Sequence, residues 1–358
     1  MAREIRQAAG QNEYFAAANT ADGFVSFFDE VFYAPQIVRR YIIKGGPGTG
    51  KSSLMRRIAR RAAEDGLSVE YYYCSSDTDS LDGIVIGSRV AVFDGTAPHS
   101  YDTAVAGARD ELINLGEFWD SAALYGHVSD IEALAVRKKN AYSEAYGYLY
   151  AARSIRRVAD GVALGCVDYP KLSAAVARTY GGLEIPRGVM PSVITRQTSA
   201  IGVRGEVRLL THERAARRTH VINDYYGTAY LYLSELLALV RSRGGRVEIS
   251  RDLLDTERPT GMLFLDTGDY FAVSDAPPSE AHLINMKRFV LPDRVGKIRF
   301  SYRTAMRAYA DVRSLALAAL REAGEAHSEL EKIYVPCMDF ERQRGLSERL
   351  YEKIGASI

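Results

Sequence analysis

The stretch Arg39-Arg40-Tyr41-Ile42-Ile43-Lys44-Gly45-Gly46-Pro47-Gly48-Thr49-Gly50-Lys51-Ser52-Ser53-Leu54-Met55 decides how this chain is read. Its first six residues hold a short apolar core between charges and read as a buried strand. A glycine-rich turn follows at once. Beyond it, Leu54, Met55, Ile58, Ala59 and Ala62 recur on one face of a helical period, with Arg56, Arg57, Arg60 and Arg61 on the other. Gly66 stops that helix. The pattern GxxxxGK[ST] therefore stands between a strand and a helix, the context it needs. Glycines let backbone N–H groups approach phosphate oxygens, and the helix N-terminus adds unpaired donors and a positive dipole end. Lys51 is suited to the β- and γ-phosphates, and the Ser52 hydroxyl to magnesium. The expectation is a nucleoside triphosphate, ATP with Mg2+, held by Gly45, Gly46, Pro47, Gly48, Thr49, Gly50, Lys51, Ser52 and Ser53.

Downstream, residues 68–74 read as a second strand, 75–83 as a polar acidic loop and 88–93 as a third strand ending at Asp94. Strands alternating with helices argue an α/β fold with mainly parallel sheets, and ligands of such sheets bind at the carboxyl ends of the strands. Asp94 closes an apolar strand at that edge and is expected to help Ser52 hold the metal. Asp77 is the second candidate acid, for water or a substrate hydroxyl, against a plain turn-forming role. His99 is a weaker candidate, since a lone histidine is more often structural. No Glu follows Asp94, so the adjacent acid with which many ATPases activate water is missing there, and binding is better founded than hydrolysis.

The chain also repeats itself. Gly48-Thr49 recurs as Gly227-Thr228, 179 residues on. Val69-Glu70, Asp77 and Gly83 recur as Val247-Glu248, Asp255 and Gly261 at an offset of 178. Ala97-Pro98 matches Ala276-Pro277, and Cys166-Val167-Asp168-Tyr169 matches Cys337-Met338-Asp339-Phe340 at 171. Two copies of one unit are expected, at about 12–185 and 195–358, joined by a linker at 181–188. Each would be a three-layer α/β/α core with a helical lid region, at about 103–160 and 300–332, and a closing segment. Tyr142, Tyr146 and Tyr150 recur every four residues as a packing stripe or an aromatic surface. In the second copy Ala229-Tyr230-Leu231 replaces Gly50-Lys51-Ser52, behind Asn223-Asp224-Tyr225-Tyr226. Without lysine or hydroxyl at those positions, and with Asp224 and two bulky tyrosines in it, that loop opposes phosphate. One nucleotide site per chain is expected.

Composition narrows the classes. Of 358 residues, 47% are hydrophobic and 25% charged, and the net charge of +1 leaves no global field for nucleic acid or an anionic membrane. The basic face at Arg56, Arg57, Arg60 and Arg61 leaves nucleic acid as an unfavoured alternative. No apolar run approaches the length of a membrane span, and the N-terminus lacks the apolar core of a secretory signal. Cys74, Cys166 and Cys337 are too few and too scattered for a disulfide or metal framework, so free, buried thiols in a cytoplasmic protein are expected.

The runs Gly23-Phe24-Val25-Ser26-Phe27-Phe28-Asp29, Lys44 to Met55, Cys74 to Gly83 and Asp94-Gly95-Thr96-Ala97-Pro98-His99 together resemble an uncharacterised family of bacterial duplicated P-loop ATPases, over nearly the whole chain. The resemblance implies tandem P-loop NTPase-like units and ATP binding. Many members of that family keep an intact loop in both units; this chain departs at Tyr225 to Leu231.

Three functions compete. One is an ATPase in which Lys51 and the loop amides stabilise phosphate charge, Ser52 and Asp94 hold magnesium, and an arginine reaches across from the other copy. Arg251, Arg258, Arg153, Arg156 and Arg157 are the candidates, each against a solvated-surface reading. The second is a small-molecule or nucleoside kinase with Asp77 or Asp79 as base. The third is a nucleotide-dependent binding or regulatory module with an unnamed partner.

Overall fold

The computed structural model describes residues 3–4, 12–98, 100–274 and 281–357. His99 and the Ala276-Pro277 match lie outside them.

Twelve strands form two six-stranded sheets. The first sheet takes β1 (Asn12–Phe15), β2 (Arg39–Lys44), β3 (Val69–Tyr73), β4 (Leu81–Ile86), β5 (Val90–Asp94) and β6 (Asp110–Asn114) in the order β1-β3-β4-β5-β2-β6. The second takes β7 (Ser192–Thr195), β8 (Arg218–Asn223), β9 (Arg246–Arg251), β10 (Pro259–Phe264), β11 (Asp269–Val273) and β12 (His282–Asn285) in the order β7-β9-β10-β11-β8-β12. The two orders are the same. So are the ladder senses: β1–β3, β2–β5 and β2–β6 are parallel, β3–β4 and β4–β5 antiparallel, and the second sheet repeats this pair for pair. The chain is a mixed α/β protein with two mostly parallel sheets.

The strand pleat explains the burial. Tyr41 and Ile43 face one core and Ile42 the other; Val90 and Val92 face the first, Ala91 and Phe93 the second. Both faces are covered, as near-continuous apolar strands require. Helix α1 (Lys51–Glu64) buries Leu54, Met55, Ile58, Ala59 and Ala62 on the first face, the face its sequence period marks.

Three sequence expectations are corrected. The acidic loop read at 75–83 ends early, because Leu81-Asp82-Gly83-Ile84-Val85-Ile86 is a buried antiparallel strand. The helical region read at 103–160 contains the edge strand β6, and its long helix α2 runs Val128–Leu164. The second long helix, α5 (Pro292–Tyr334), outreaches the expected 300–332.

Helices α3 (Tyr169–Gly182), α4 (Ala229–Arg243) and α6 (Phe340–Gly355) complete the frame. Here the two repeats exchange parts. The closing helix of the second repeat, α6, packs on α1 of the first: Leu350 and Ile354 join that core, and Tyr351 donates to Asp65 at 2.7 Å. The closing helix of the first repeat, α3, packs on α4 of the second through Leu172 and Val176, with Thr179 and Tyr232 hydroxyls 2.5 Å apart. The backbone crossings mirror each other. Asp120 N–H donates to Cys337 O at 2.8 Å and Asp339 N–H to Phe118 O at 2.9 Å. Leu291 N–H donates to Cys166 O and Asp168 N–H to Phe289 O, both at 2.8 Å. Asp168 and Asp339 then cap α3 and α6, accepting from Lys171 N–H at 3.2 Å and Arg342 N–H at 3.0 Å.

The long helices α2 and α5 pack antiparallel across both lobes. Arg137 near the start of α2 reaches Glu322, Glu325 and Glu329, while Arg258 reaches Asp160 near its end, beside Tyr302 of α5. Tyr142 and Tyr146 stack 6.0 Å apart in this seam, whereas Tyr150 is exposed. No described helix is long and apolar enough to cross a membrane.

Candidate functional site

The loop between β2 and α1 owes its shape to its glycines. Gly48 and Gly50 have φ of +66° and +77°, a region that L side chains avoid. Gly45 has no room for a side chain either, since a Cβ would lie 2.6 Å from the Thr49 hydroxyl. That hydroxyl donates to Gly46 O at 2.9 Å and pins the turn. Lys51 folds back over the loop, donating to Gly45 O at 2.7 Å and Gly46 O at 2.8 Å, with Asp94 at 3.5 Å. Ser53 continues the first turn of α1.

The strand ends bring oxygen ligands to the same place. Ser52 Oγ accepts from Leu81 N–H at 3.1 Å, so the start of β4 abuts the loop. Asp94 Oδ1 accepts from Thr96 N–H at 2.8 Å, and the Thr96 hydroxyl lies 3.0 Å from Gly45 O. Burial pushes the Asp94 carboxyl up, Lys51 and Thr96 pull it down, and Asp82 pushes it up again. Asp82 is the acid the sequence hid. It reads as part of a polar loop, yet it lies buried on β4, where Gly83 pairs with Phe93 and so sets it beside Asp94. Burial and this carboxylate push the Cys74 thiol well up. All three cysteines are free, but only Cys166 is fully buried.

Asp77 is occupied by its own turn: it accepts from Asp79 N–H at 3.2 Å and Ser80 Oγ at 3.0 Å, with Arg204 at 3.9 Å.

The end of α5 and Trp119, which follows β6, lie over the loop. A Cβ on Gly46 would lie 3.3 Å from Trp119 and 3.5 Å from Tyr334, and one on Gly48 would lie 2.7 Å from Val335. Gln343 of α6 donates to Thr49 O at 2.8 Å. Lys138 of α2 lies 3.0 Å from His327 Nδ1 of α5, and His327 Nε2 lies 3.7 Å from Glu331. Burial and the charges of Lys138 and Lys51 push His327 down to about 4, so the ring is neutral near pH 7. An ammonium only donates, which leaves Nδ1 as acceptor and places the ring proton on Nε2, facing Glu331. The Glu331 backbone lies 3.6 Å from where a Cβ on Gly48 would stand; burial and the Asp77 charge hold its carboxyl above the usual range, against the pull of the Gly48 amide, Lys51 and Lys138. Lys138, His327 and Glu331 carry no motif, and their charged helix faces look solvated in sequence.

No protein family, curated protein or solved structure matches this chain. The internal comparison therefore carries the weight. In the second loop Thr228 Oγ1 donates to Tyr225 O at 2.7 Å, repeating the pin made by Thr49. There, however, Asp224 accepts from Gly227 N–H at 2.7 Å and Ala229 N–H at 2.8 Å. A carboxylate of the loop itself fills the cradle. The five arginines considered from sequence gather on that side of the molecule. Arg258 and Arg156 reach Asp160, Arg156 also takes Asp252 at 2.9 Å, Arg157 takes Asp255 at 3.5 Å, Arg153 takes Asp22, and Arg251 donates to Thr256 O at 2.8 Å.

Among the described residues no cluster of three or more His, Cys, Asp or Glu forms a metal cage. The donor set at the loop, one hydroxyl and one carboxylate, suits magnesium, which keeps most of its ligands as water and phosphate.

Proposed function

We propose that the 45–52 loop binds a nucleoside triphosphate and hydrolyses it with magnesium. The chain is then a tandem of P-loop NTPase-like three-layer units, in keeping with the duplicated ATPases its motifs resemble, with one working site. The observation that carries this is the contrast between the loops: Asp224 takes the amides of Gly227 and Ala229, while Lys51 bends over the equivalent turn of the first loop beside Asp94.

In this reading the loop amides and Lys51 bind the phosphates and stabilise charge on the terminal one. Magnesium, held by Ser52 and Asp94, supplies further charge neutralisation when bound. Trp119, Tyr334 and Val335 shield the loop from bulk water, which strengthens each of these interactions.

The test is ATP binding and phosphate release by the full chain and by Lys51→Ala. Removal of the lysine is expected to weaken ATP affinity at least tenfold, about 1.4 kcal/mol. Unchanged affinity would sink the reading. ADP formed only with an added hydroxyl acceptor, without phosphate release, would make the protein a kinase.

A further inference from the structure

The first repeat lacks an acid after Asp94 to activate water, and the second repeat brings one. Resting on the reading of the loop as a hydrolytic nucleotide site, we propose that Glu331 of α5 is the general base of the first repeat's site, oriented by His327.

Three observations carry this. The first is place. The Glu331 Cα and carbonyl oxygen lie 3.6 Å from where a Cβ on Gly48 would stand, and Val335, one turn further on, lies 2.7 Å from it, so this stretch of α5 rests on the loop. The Glu331 carboxylate also feels the charge of Lys51. A lysine at this motif position reaches the β- and γ-phosphates, so Glu331 stands at the end where the terminal phosphate and its attacking water meet.

The second is the row of groups behind it, one hydrogen bond and one longer contact. Lys138 to His327 is 3.0 Å, and His327 Nε2 to Glu331 is 3.7 Å. A neutral ring with its proton on Nε2 directs that N–H toward one carboxylate oxygen, a distance that a small shift would close, and leaves the other oxygen to accept from water.

The third is the internal control. Glu331 and Asp160 are equivalent at the offset of 171 that relates the two closing segments. Each lies against the equivalent glycine of the opposite repeat, Gly48 and Gly227. Asp160 is held by Arg258 and Arg156. Among the described residues no arginine or lysine makes an ion pair with Glu331. The groups facing it are Lys51, Asp77, Lys138, His327 and the Gly48 amide. Among the described residues, the active loop faces an acid with no paired arginine or lysine, only the longer-range charges of Lys51 and Lys138; the silent loop faces one locked by arginines.

The water oxygen bonds to the γ-phosphorus and its proton passes to the Glu331 carboxylate. The bond from the γ-phosphorus to the β–γ bridging oxygen breaks, and its electron pair leaves with the nucleoside diphosphate. Glu331 then releases the proton to solvent.

The test is Glu331→Gln in the full chain, with ATP as probe. Phosphate release is expected to fall at least a hundredfold, the lower end of what a general base contributes. ATP affinity measured without magnesium should stay within threefold or tighten, and the melting temperature should hold, because the side chain is half-buried. Glu331→Asp should recover part of the rate. The acid limb of the wild-type rate profile, set by a carboxyl raised above the usual range, should vanish in Glu331→Gln. Turnover within threefold of wild type, or an increase, would overturn the proposal and make Glu331 a plug of the empty loop. Failure of the wild-type chain to bind ATP would instead overturn the reading beneath it.

Discussion

The carboxylate of Asp224 stands 2.7 Å from the backbone nitrogen of Gly227, and its other oxygen 2.8 Å from that of Ala229. The second loop thus carries its own anion, in the manner of an N-capping acid. Asp224→Ala is expected to destabilise the protein by about 1 kcal/mol in urea unfolding, the usual worth of such a cap. It should not create a second nucleotide site, because Tyr230 and Leu231 still replace the lysine and the hydroxyl. Titration calorimetry giving two ATP per chain in this variant would refute that account of the silent loop.

Arg258 and Asp160 make the buried counterpart of the open arrangement at Glu331. Arg258 also lies 3.0 Å from Asp255 and 4.2 Å above the Tyr230 ring, so it is held from three sides. Arg258→Ala leaves the buried Asp160 carboxylate with only Arg156, 4.0 Å away, and the expected loss is about 3 kcal/mol. Burial already pushes the Asp160 carboxyl up despite Arg258. Adding Asp160→Asn to Arg258→Ala should therefore recover much of the loss in the same unfolding assay. A double variant no more stable than Arg258→Ala would show that the pair does not set the cost.

Much of this fold is legible in sequence, for identifiable reasons. Strands β2, β3 and β5 are short apolar runs at turn signals, and α1 shows an unbroken helical period. Strand β4 was hidden by Asp82-Gly83, which look like loop residues until both neighbours bury them. Strand β6 is an edge strand whose exposed Leu112 and polar neighbours weaken the alternation. The exchange of closing helices left one trace, an offset of 171 where the cores repeat at 178–179. Periodicity describes a helix face but not the lobe that the face meets. Glu331 was out of reach for the same reason: its contact with Gly48 exists only after the second repeat has folded over the first.

Arg40 and Asp110 form a buried pair, 2.6 Å apart, tying β2 to the edge strand β6 beside the loop. Burial alone would raise the Asp110 carboxyl. Hydrogen bonds from Arg40 and from the N–H groups of Val105 and Ala104 outweigh it and hold the carboxyl below its ordinary 3.8. An acid with a depressed folded value stabilises the fold above its unfolded value. That contribution is lost as pH falls through the folded value. Asp110 should therefore support stability fully at neutral pH and release it below about pH 4. Asp110→Asn is expected to cost about 3 kcal/mol at pH 7 through the unpaired arginine. The gap to wild type should narrow in unfolding curves taken toward pH 3. A gap that widens on acidification would reverse the sign argued here.

The reciprocal packing of α3 on α4 and α6 on α1 makes each lobe's core depend on the other repeat. Leu350 and Ile354 lie in the first core, and Leu172 and Val176 in the second. Each such side chain contributes roughly 1.5–3 kcal/mol of burial. The connection between the repeats at 186–190 is mostly exposed and carries neither core. Cleavage at a protease site introduced there should leave the two fragments associated through size-exclusion chromatography, with ATP affinity near that of the intact chain. Separating them should need denaturant rather than salt alone, since Leu350, Ile354, Leu172 and Val176 are buried in the other fragment's core beneath the ion pairs that also cross. Fragments that part in buffer, with the 12–185 piece alone retaining ATP affinity, would mean that each repeat stands by itself and that the exchange does not hold the molecule together.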